Sequence, residues 1–442
     1  MSVITKFAKL IYQKIVPRKV RKSIWKIITV FQDYVDNMYI HNYRKKIPFL
    51  EKQLKNKDEI QVVFFAMNIS MWKYDGLYRL MQKHPRFNPI VLIAPDMALS
   101  PSERIIETNN MSCYFKNKDY AYIEAYNSQN DTWFDVKKNI NPDLLFYTQP
   151  NSYCITQEYF FKNFPDKLFC YVPYGFSVIE NNWTYNLLFH NLLWKFFSPT
   201  IYDKGNAQKY SRIKAANVIV TGYPMADLYL NVDRQVADVW KVQDKSIKRI
   251  IWAPHHSVYP DGLLHFSNFL EIYNLMYNIA QKYNNKIQVA FKPHPMLKKV
   301  LYNHSGWGKL RTDVYYDMWK TLPNGQLVEG DYVDLFLSSD AMIHECASFT
   351  VEYLYTLHPV MFFSKENHEK NLSTFGCEAY NVHYKCSGVK DIENFIENVV
   401  LKNNDPLMKQ RKCFFDKYLL PPNGKLASQN MLDEILRYTK PI

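Results

Sequence analysis

Three short stretches of this chain end an apolar run on groups that bind phosphates or move protons. They are IIWAPHH (Ile250–His256), AFKPHP (Ala290–Pro295) and AMIHECASFT (Ala341–Thr350). In turn they present His255 and His256, Lys292 and His294, and His344 and Glu345. In the third stretch Ser348 stands where a helix is expected to begin. Backbone N–H groups there lack intrahelical acceptors and favour an anion. Glu352 follows four residues on, along the same helical face.

A lysine, several imidazoles and a helix start make a seat for a diphosphate that needs no metal. A carboxylate one turn further suits ribose hydroxyls. Each residue also has an ordinary use: Ser commonly caps a helix, and a single His after a strand can be a hydrogen-bonded core residue. Zinc would demand a recognisable ligand spacing, which these histidines lack, and Cys346 stands alone. No metal and no cofactor is therefore expected. The functional reading rests on three separate strand ends pointing one way.

The elements that must position these groups alternate along the chain. Strands are expected at Ile60–Asn68, Pro89–Asp96, Met111–Lys116, Pro142–Pro150, Leu168–Phe176 and Ala216–Pro224, and helices at Asp75–His84, near Ser100–Asn109 and from Tyr120 through Val136. A polar segment, Asp227–Lys248, lacks a strand signal and marks a boundary. Beyond it come strands at Arg249–Pro254, Ile287–Pro295, Asp334–Glu345 and Pro359–Phe363, and helices at Phe266–Tyr283, near Thr312–Leu322 and at Phe349–Leu357. Apolar strands without polar alternation, separated by helices, imply parallel sheets covered on both faces. Two doubly wound α/β units result, with ligands expected at the carboxyl ends of strands.

With 442 residues the chain exceeds one ordinary core. Its hydrophobic content of 47% excludes disorder, and 12 glycines without a Gly-rich loop argue against a P-loop. The seven cysteines are scattered and never spaced as CxxC, which suits a reducing compartment.

The net charge of +13 is concentrated at the start, where eight Lys and Arg precede the first acid, Asp33. Ile4, Phe7, Ala8, Ile11 and Ile15, then Val20, Ile24, Ile27, Ile28 and Phe31, recur at helical spacing among them. No run reaches the ~20 apolar residues of a spanning helix. A basic amphipathic arm lying on an anionic bilayer surface is expected. Nucleic acid is not expected as a partner, because no recognised binding motif accompanies the charge.

The stretches WAPHH, FKPHP, GDYVDLFLSSDAMIHECASFTVEYL and PVMFF together resemble the CDP-glycerol glycerophosphotransferase family of teichoic-acid and capsule polymer synthesis. The likeness runs from about Val218 to Phe363 and is weaker over Ile60–Lys209. It implies a GT-B-like architecture of two Rossmann-like domains facing a cleft. The division would be basic amphipathic helices over 1–50, an acceptor domain over 51–228, a nucleotide-donor domain over 229–404, and a helix crossing back within 405–442. It also implies a peripheral enzyme on the cytoplasmic face of the cell membrane.

By position, the resemblance assigns donor-phosphate contacts to His294 and to Glu345, Cys346, Ala347, Ser348, Phe349 and Thr350. Lys292, His344 and the His255–His256 pair lie in matching motifs. Many members write an Asp and a Ser pair where Glu345–Ser348 stand here. Many also carry a first-domain His-Gly pair, whose nearest counterpart here is Tyr174-Gly175.

The reaction so implied moves glycerol phosphate from CDP-glycerol to a hydroxyl of a lipid-linked glycan or polyol-phosphate acceptor, releasing CMP. His255 or His256 would protonate the leaving phosphate. Asp75 or Tyr174 would serve as base, with Asp75 preferred. A GT-B glycosyltransferase using a nucleotide sugar, and an inactive membrane-bound scaffold, are the alternatives.

Overall fold

The first apolar run forms strand β1 (Ile60–Ala66), buried along nearly its whole length without alternation, as a sheet covered on both faces requires. The computed structural model describes residues 18–259, 266–364 and 368–440. The chain divides into two compact units. One extends to Tyr174, resumes over Asn182–Pro224 and takes in the segment from Pro421; the other comprises Gly175–Asn181 and Met225–Leu420.

In the first unit β1 is followed by β2 (Phe87–Ile93), β3 (Tyr122–Glu124), a small hairpin β4 (Tyr126–Asn127) and β5 (Thr132–Trp133), β6 (Leu144–Tyr147), β7 (Leu168–Tyr171), β8 (Lys195–Ser198) and β9 (Val218–Val220). Seven of these make a parallel sheet in the order β3-β2-β1-β6-β7-β8-β9. The helix Ala427–Leu436 belongs to this unit, burying Met431, Leu432 and Ile435. Glu434 on it pairs with buried Lys195 at 2.5 Å.

Two expectations fail in this unit. Met111–Lys116 is the end of the helix Pro101–Asn117, not a strand. Ser100 and Glu103 form a capping box ahead of it, and helical spacing buries Met111 and Phe115 together. The helix expected from Tyr120 through Val136 is an edge strand and a hairpin, closed by a polar turn with Asp131 at φ 51°.

The second unit contains β10 (Lys248–Ala253), β11 (Ile287–Phe291), β12 (Gly325–Leu327), β13 (Ala341–His344), β14 (Val360–Phe363) and β15 (Tyr384–Cys386). They form a parallel sheet in the order β12-β11-β10-β13-β14-β15. The single strand expected over Asp334–Glu345 begins instead as a helical turn, Val333–Leu337, and only Ala341–His344 is extended. The Ser338 hydroxyl bonds back to the Asp334 carbonyl there, a local bond that competes with a strand.

Both units are doubly wound. In the second, the chain leaves β10 toward β11 and β12, then returns to the other side of β10 as β13. The gap between the carboxyl ends of β10 and β13 is the topological switch point, where such sheets bind ligands.

Of the basic arm, residues 1–17 lie outside the described part. The helix Arg18–Asn56 comes next, with Pro48 inside it. Its second half buries Tyr43, Ile47, Leu50 and Leu54 in the first unit's core. Its first half leaves Ile27, Ile28, Phe31, Tyr34, Val35 and Met38 exposed at helical spacing. Among the described residues no helix is long and apolar enough to cross a membrane.

Candidate functional site

The register of the second sheet brings the three motif ends together. Trp252 lies opposite Phe291 and Ala253 opposite His344. Beyond the strands, the Lys292 N–H donates to the Trp252 carbonyl at 2.8 Å, the His294 N–H to Pro254 at 3.1 Å and the Glu345 N–H to Ala253 at 3.2 Å. The chain segments therefore leave the sheet edge side by side.

His255, His256 and His294 form one cluster. A ring nitrogen of each lies within 4.8 Å of the others. Ring centroids are 4.2 Å apart for His255–His256, 5.0 Å for His255–His294 and 4.1 Å for His256–His294. That spacing would let one small ion or group touch all three, and the tautomers say which sign it carries.

Nδ1 of His294 accepts the Met296 N–H at 3.1 Å. Nδ1 of His255 accepts the Ser257 N–H at 3.3 Å and lies 2.7 Å from the Ser257 hydroxyl. That hydroxyl oxygen already accepts the Phe266 N–H, so its own proton is free to point at the ring. A nitrogen that accepts carries no proton, so each neutral ring bears its proton on Nε2. These two imidazoles thus present N–H donors, which suit an oxyanion. A metal would need the reverse, bare Nε2 with Nδ1–H donating outward.

Charge comes from elsewhere. Burial, then His256 and His294, drives His255 down to about 2. Burial, then His256 and Lys292, takes His294 to about 3, and burial lowers His256 too. All three rings are neutral near pH 7. His255 and His256, expected to protonate the leaving phosphate, are therefore both uncharged before a ligand arrives.

Lys292 is the cation. It is only 4% exposed, its ammonium sits 5.8 Å from the Tyr332 ring centroid, and it has no hydrogen bond among the described residues. Burial lowers its pKa, against the pull of Cys346, Glu329 and Asp331. A charge on a largely buried side chain without a bonded partner is a costly arrangement, and an anion relieves it.

Glu345 is fully buried. One oxygen accepts the His255 N–H at 3.2 Å and the Ser267 hydroxyl at 3.0 Å; the other accepts the Asn268 N–H at 2.6 Å, just ahead of the helix Phe269–Lys282. Burial raises its carboxyl to about 7 against those bonds. It holds both ends of the His255–Asn268 segment. Burial likewise raises the Cys346 thiol, which contacts the Ala253 carbonyl at 3.4 Å.

Ser348 is exposed, has helical φ and ψ, and makes no side-chain cap. The helix after it is one α-turn, Phe349–Glu352, continued by a 3-10 turn. The Ala347 and Ser348 N–H groups have no acceptor among the described residues. Thr350 bonds back to the Cys346 carbonyl, and buried Glu352 accepts from the Tyr332 hydroxyl. His344 is not drawn into the imidazole cluster. It is fully buried, its Nδ1 accepts the Cys346 N–H, and its ring packs on Phe362 and His383.

Asp75 lies in the first unit with both oxygens occupied. Trp72 Nε1 and the Tyr120 hydroxyl reach one at 3.0 and 2.7 Å; the Tyr114 hydroxyl and Lys118 reach the other at 2.6 and 3.2 Å. Against the upward push of burial, Lys118 and these donors hold its pKa below the usual value. That is the setting of a structural carboxylate, and it differs from the base role expected. Tyr174 is 44% exposed, with burial raising its phenol.

Ser257, Ser267, Asn268 and Tyr332 are not singled out by sequence reasoning. Only Ser257 carries a local signal, a hydroxyl two residues after His255. The other three meet the site through tertiary contacts.

A sequence model of the CDP-glycerol:poly(glycerophosphate) glycerophosphotransferase family matches residues 181–437, more than half of the chain. No curated protein matches. Among solved structures, the wall teichoic acid polymerase TagF is 12% identical, with 94% of this chain and 97% of that one covered at a TM-score of 0.56. The UDP-GlcNAc 2-epimerase of Neisseria meningitidis bound to UDP-GlcNAc is 15% identical over 86% of this chain and all of that one, at a TM-score of 0.54. The S. aureus MnaA–UDP structure is 13% identical over 86% and 97%, also at 0.54. These likenesses establish a shared GT-B-like fold.

Proposed function

The chain belongs to the CDP-glycerol:poly(glycerophosphate) glycerophosphotransferase family, and from that premise we propose that it transfers glycerol phosphate, or a related polyol phosphate, from a CDP-linked donor to a hydroxyl of a lipid-linked polymer. The observation that carries this reading is the buried Lys292 side chain, whose ammonium has no hydrogen bond among the described residues, beside neutral imidazole N–H donors at the carboxyl ends of β10, β11 and β13.

In this reading the donor's diphosphate enters that gap. Lys292 neutralises it, Nε2–H of His255 and His294 donates to its oxygens, and the Ala347 and Ser348 N–H groups complete the seat. The acceptor oxygen attacks the β-phosphorus in line, and CMP departs. Such a step needs positioning and charge stabilisation more than covalent help. Glu345 touches no phosphate; it holds His255 in place. The exposed apolar side of the helix Arg18–Asn56, with the basic residues before it, rests on an anionic membrane and brings the enzyme to its acceptor.

A second reading, a nucleotide sugar as donor, draws on the fold shared with the UDP-bound structures. One screen separates the two. The protein is incubated with CDP-glycerol, CDP-ribitol and UDP-sugars, and the released nucleotide and the lipid-linked product are read by mass spectrometry. CMP with a product heavier by one polyol phosphate supports the first reading; UDP release alone replaces it with the second.

A further inference from the structure

The three clustered imidazoles are not equivalent. Nδ1 accepts a backbone N–H from two residues on in His255 and His294. The same contact occurs in His84, His304 and His344. A second proton on such a ring would have to go on Nδ1, against the N–H already aimed there. His255 and His294 are thereby locked as neutral Nε2–H donors by backbone geometry.

His256 breaks the pattern. The Val258 N–H donates to the His256 carbonyl at 2.9 Å instead of to its ring. Nδ1 of His256 is buried with no hydrogen-bond partner among the described residues. Its ring is half-buried and nearer to His294 than His255 is.

We infer that His256 is the catalytic acid of this site: the one imidazole of the three free to take a proton, and the one that hands it to the departing nucleotide phosphate. The inference rests on the CDP-linked donor proposed for this site. In the step, the acceptor oxygen forms a bond to the glycerol-phosphate phosphorus, and the bond from that phosphorus to the CMP oxygen breaks. The electron pair stays on that oxygen, which takes the His256 proton. The acceptor's hydroxyl proton passes to solvent, from which His256 is recharged.

The surroundings make this conditional on the donor. His256 is faced by His255 from its own segment and by His294 from the β11 end; Lys292 acts on His294 and is itself faced by Cys346, Glu329 and Asp331, while Glu345 from the β13 end holds the His255 backbone N–H. Without ligand, burial keeps His256 neutral. A diphosphate adds negative charge at contact distance and favours the imidazolium. The proton therefore arrives with the donor.

Calorimetric titration of the full-length protein with CDP at pH 7, in two buffers of different ionisation enthalpy, reads the protons taken up on binding. The expected result is roughly one proton per nucleotide bound in the wild type. His256→Asn binds CDP without uptake and turns over CDP-glycerol at least ~100-fold more slowly. Nitrogen-15 spectra of the wild-type histidines need no variant: His255 and His294 keep the Nε2–H form in the complex, while His256 becomes doubly protonated. Binding without proton uptake, uptake unchanged in His256→Asn, or a titrating His294 overturns the assignment and leaves the donor reading standing. Failure of CDP and CDP-glycerol to bind removes both.

Discussion

The Glu345 carboxylate accepts the backbone N–H of His255 at 3.2 Å across 90 positions of sequence, and it also accepts from Ser267 and Asn268. One buried side chain thus fixes both ends of the segment that carries two of the three clustered imidazoles. Glu345→Ala leaves those donors without their acceptor, each costing about 1–3 kcal/mol. Urea unfolding should show a loss of about 3 kcal/mol, and amide exchange of peptides within 255–268 should rise more than that of the sheet.

Lys292 gives the opposite sign. Its side chain is buried and its ammonium has no hydrogen bond among the described residues, an arrangement that costs stability. Lys292→Met should raise the unfolding free energy of the ligand-free protein by about 1 kcal/mol or more while abolishing nucleotide binding. Unfolding curves and calorimetry on the same preparation check both halves.

The histidines set the acid limb of stability. His255 and His294 titrate near 2 and 3 in the fold against an ordinary value of 6.5. Below 6.5 the unfolded chain binds protons that the fold does not, so this contribution is present above 6.5 and is lost as pH falls. The unfolding free energy should decline from pH 7 to 5, and His294→Asn should lessen that slope by about one proton. Glu345 runs the other way. Its folded value of about 7 lies above the ordinary 4.5, so its contribution is full below 4.5 and lost as pH rises through 7.

Much of this site is legible in the sequence because parallel strands are short, apolar and end on marked residues. Ala253, Phe291 and His344 each close a strand, and three neighbouring strands of one sheet must deliver the residues beyond them to one edge. Other features are hidden. That His344 turns into the core while His294 joins the cluster depends on Phe362 and His383, far away in sequence. Met111–Lys116 has the composition of a strand, but the capping box at Ser100 and Glu103 and the i,i+4 pair Met111–Phe115 make it helical. Tautomers, too, are invisible until the N–H of Met296 is seen to meet the His294 ring.

Asp75 ties the helix Asp75–Lys83 to Trp72, Tyr114, Lys118 and Tyr120. Asp75→Asn keeps the shape but replaces an acceptor with a donor facing hydroxyls. It should destabilise the first unit by about 1–3 kcal/mol and leave turnover at permissive temperature within a few fold of wild type. A loss of turnover beyond ~100-fold, with stability kept, would restore a role as base.

The helix Arg18–Asn56 exposes Phe31 at 67% and Ile27 at 69% on one face. Replacing both by Asp should leave the unfolding curve unchanged and release the protein from anionic vesicles in a sedimentation assay. Deleting Met1–Phe31 should do the same. Undiminished vesicle binding after either change would refute membrane attachment through this helix.

The most direct test of the central claim is a crystal structure of the full-length protein with CDP-glycerol bound. The diphosphate is expected between the ends of β10 and β13, within hydrogen-bond reach of Lys292 Nζ, Nε2 of His255 and His294, and the Ala347 or Ser348 N–H. A nucleotide seated elsewhere, with Lys292 and the imidazoles untouched, would contradict it.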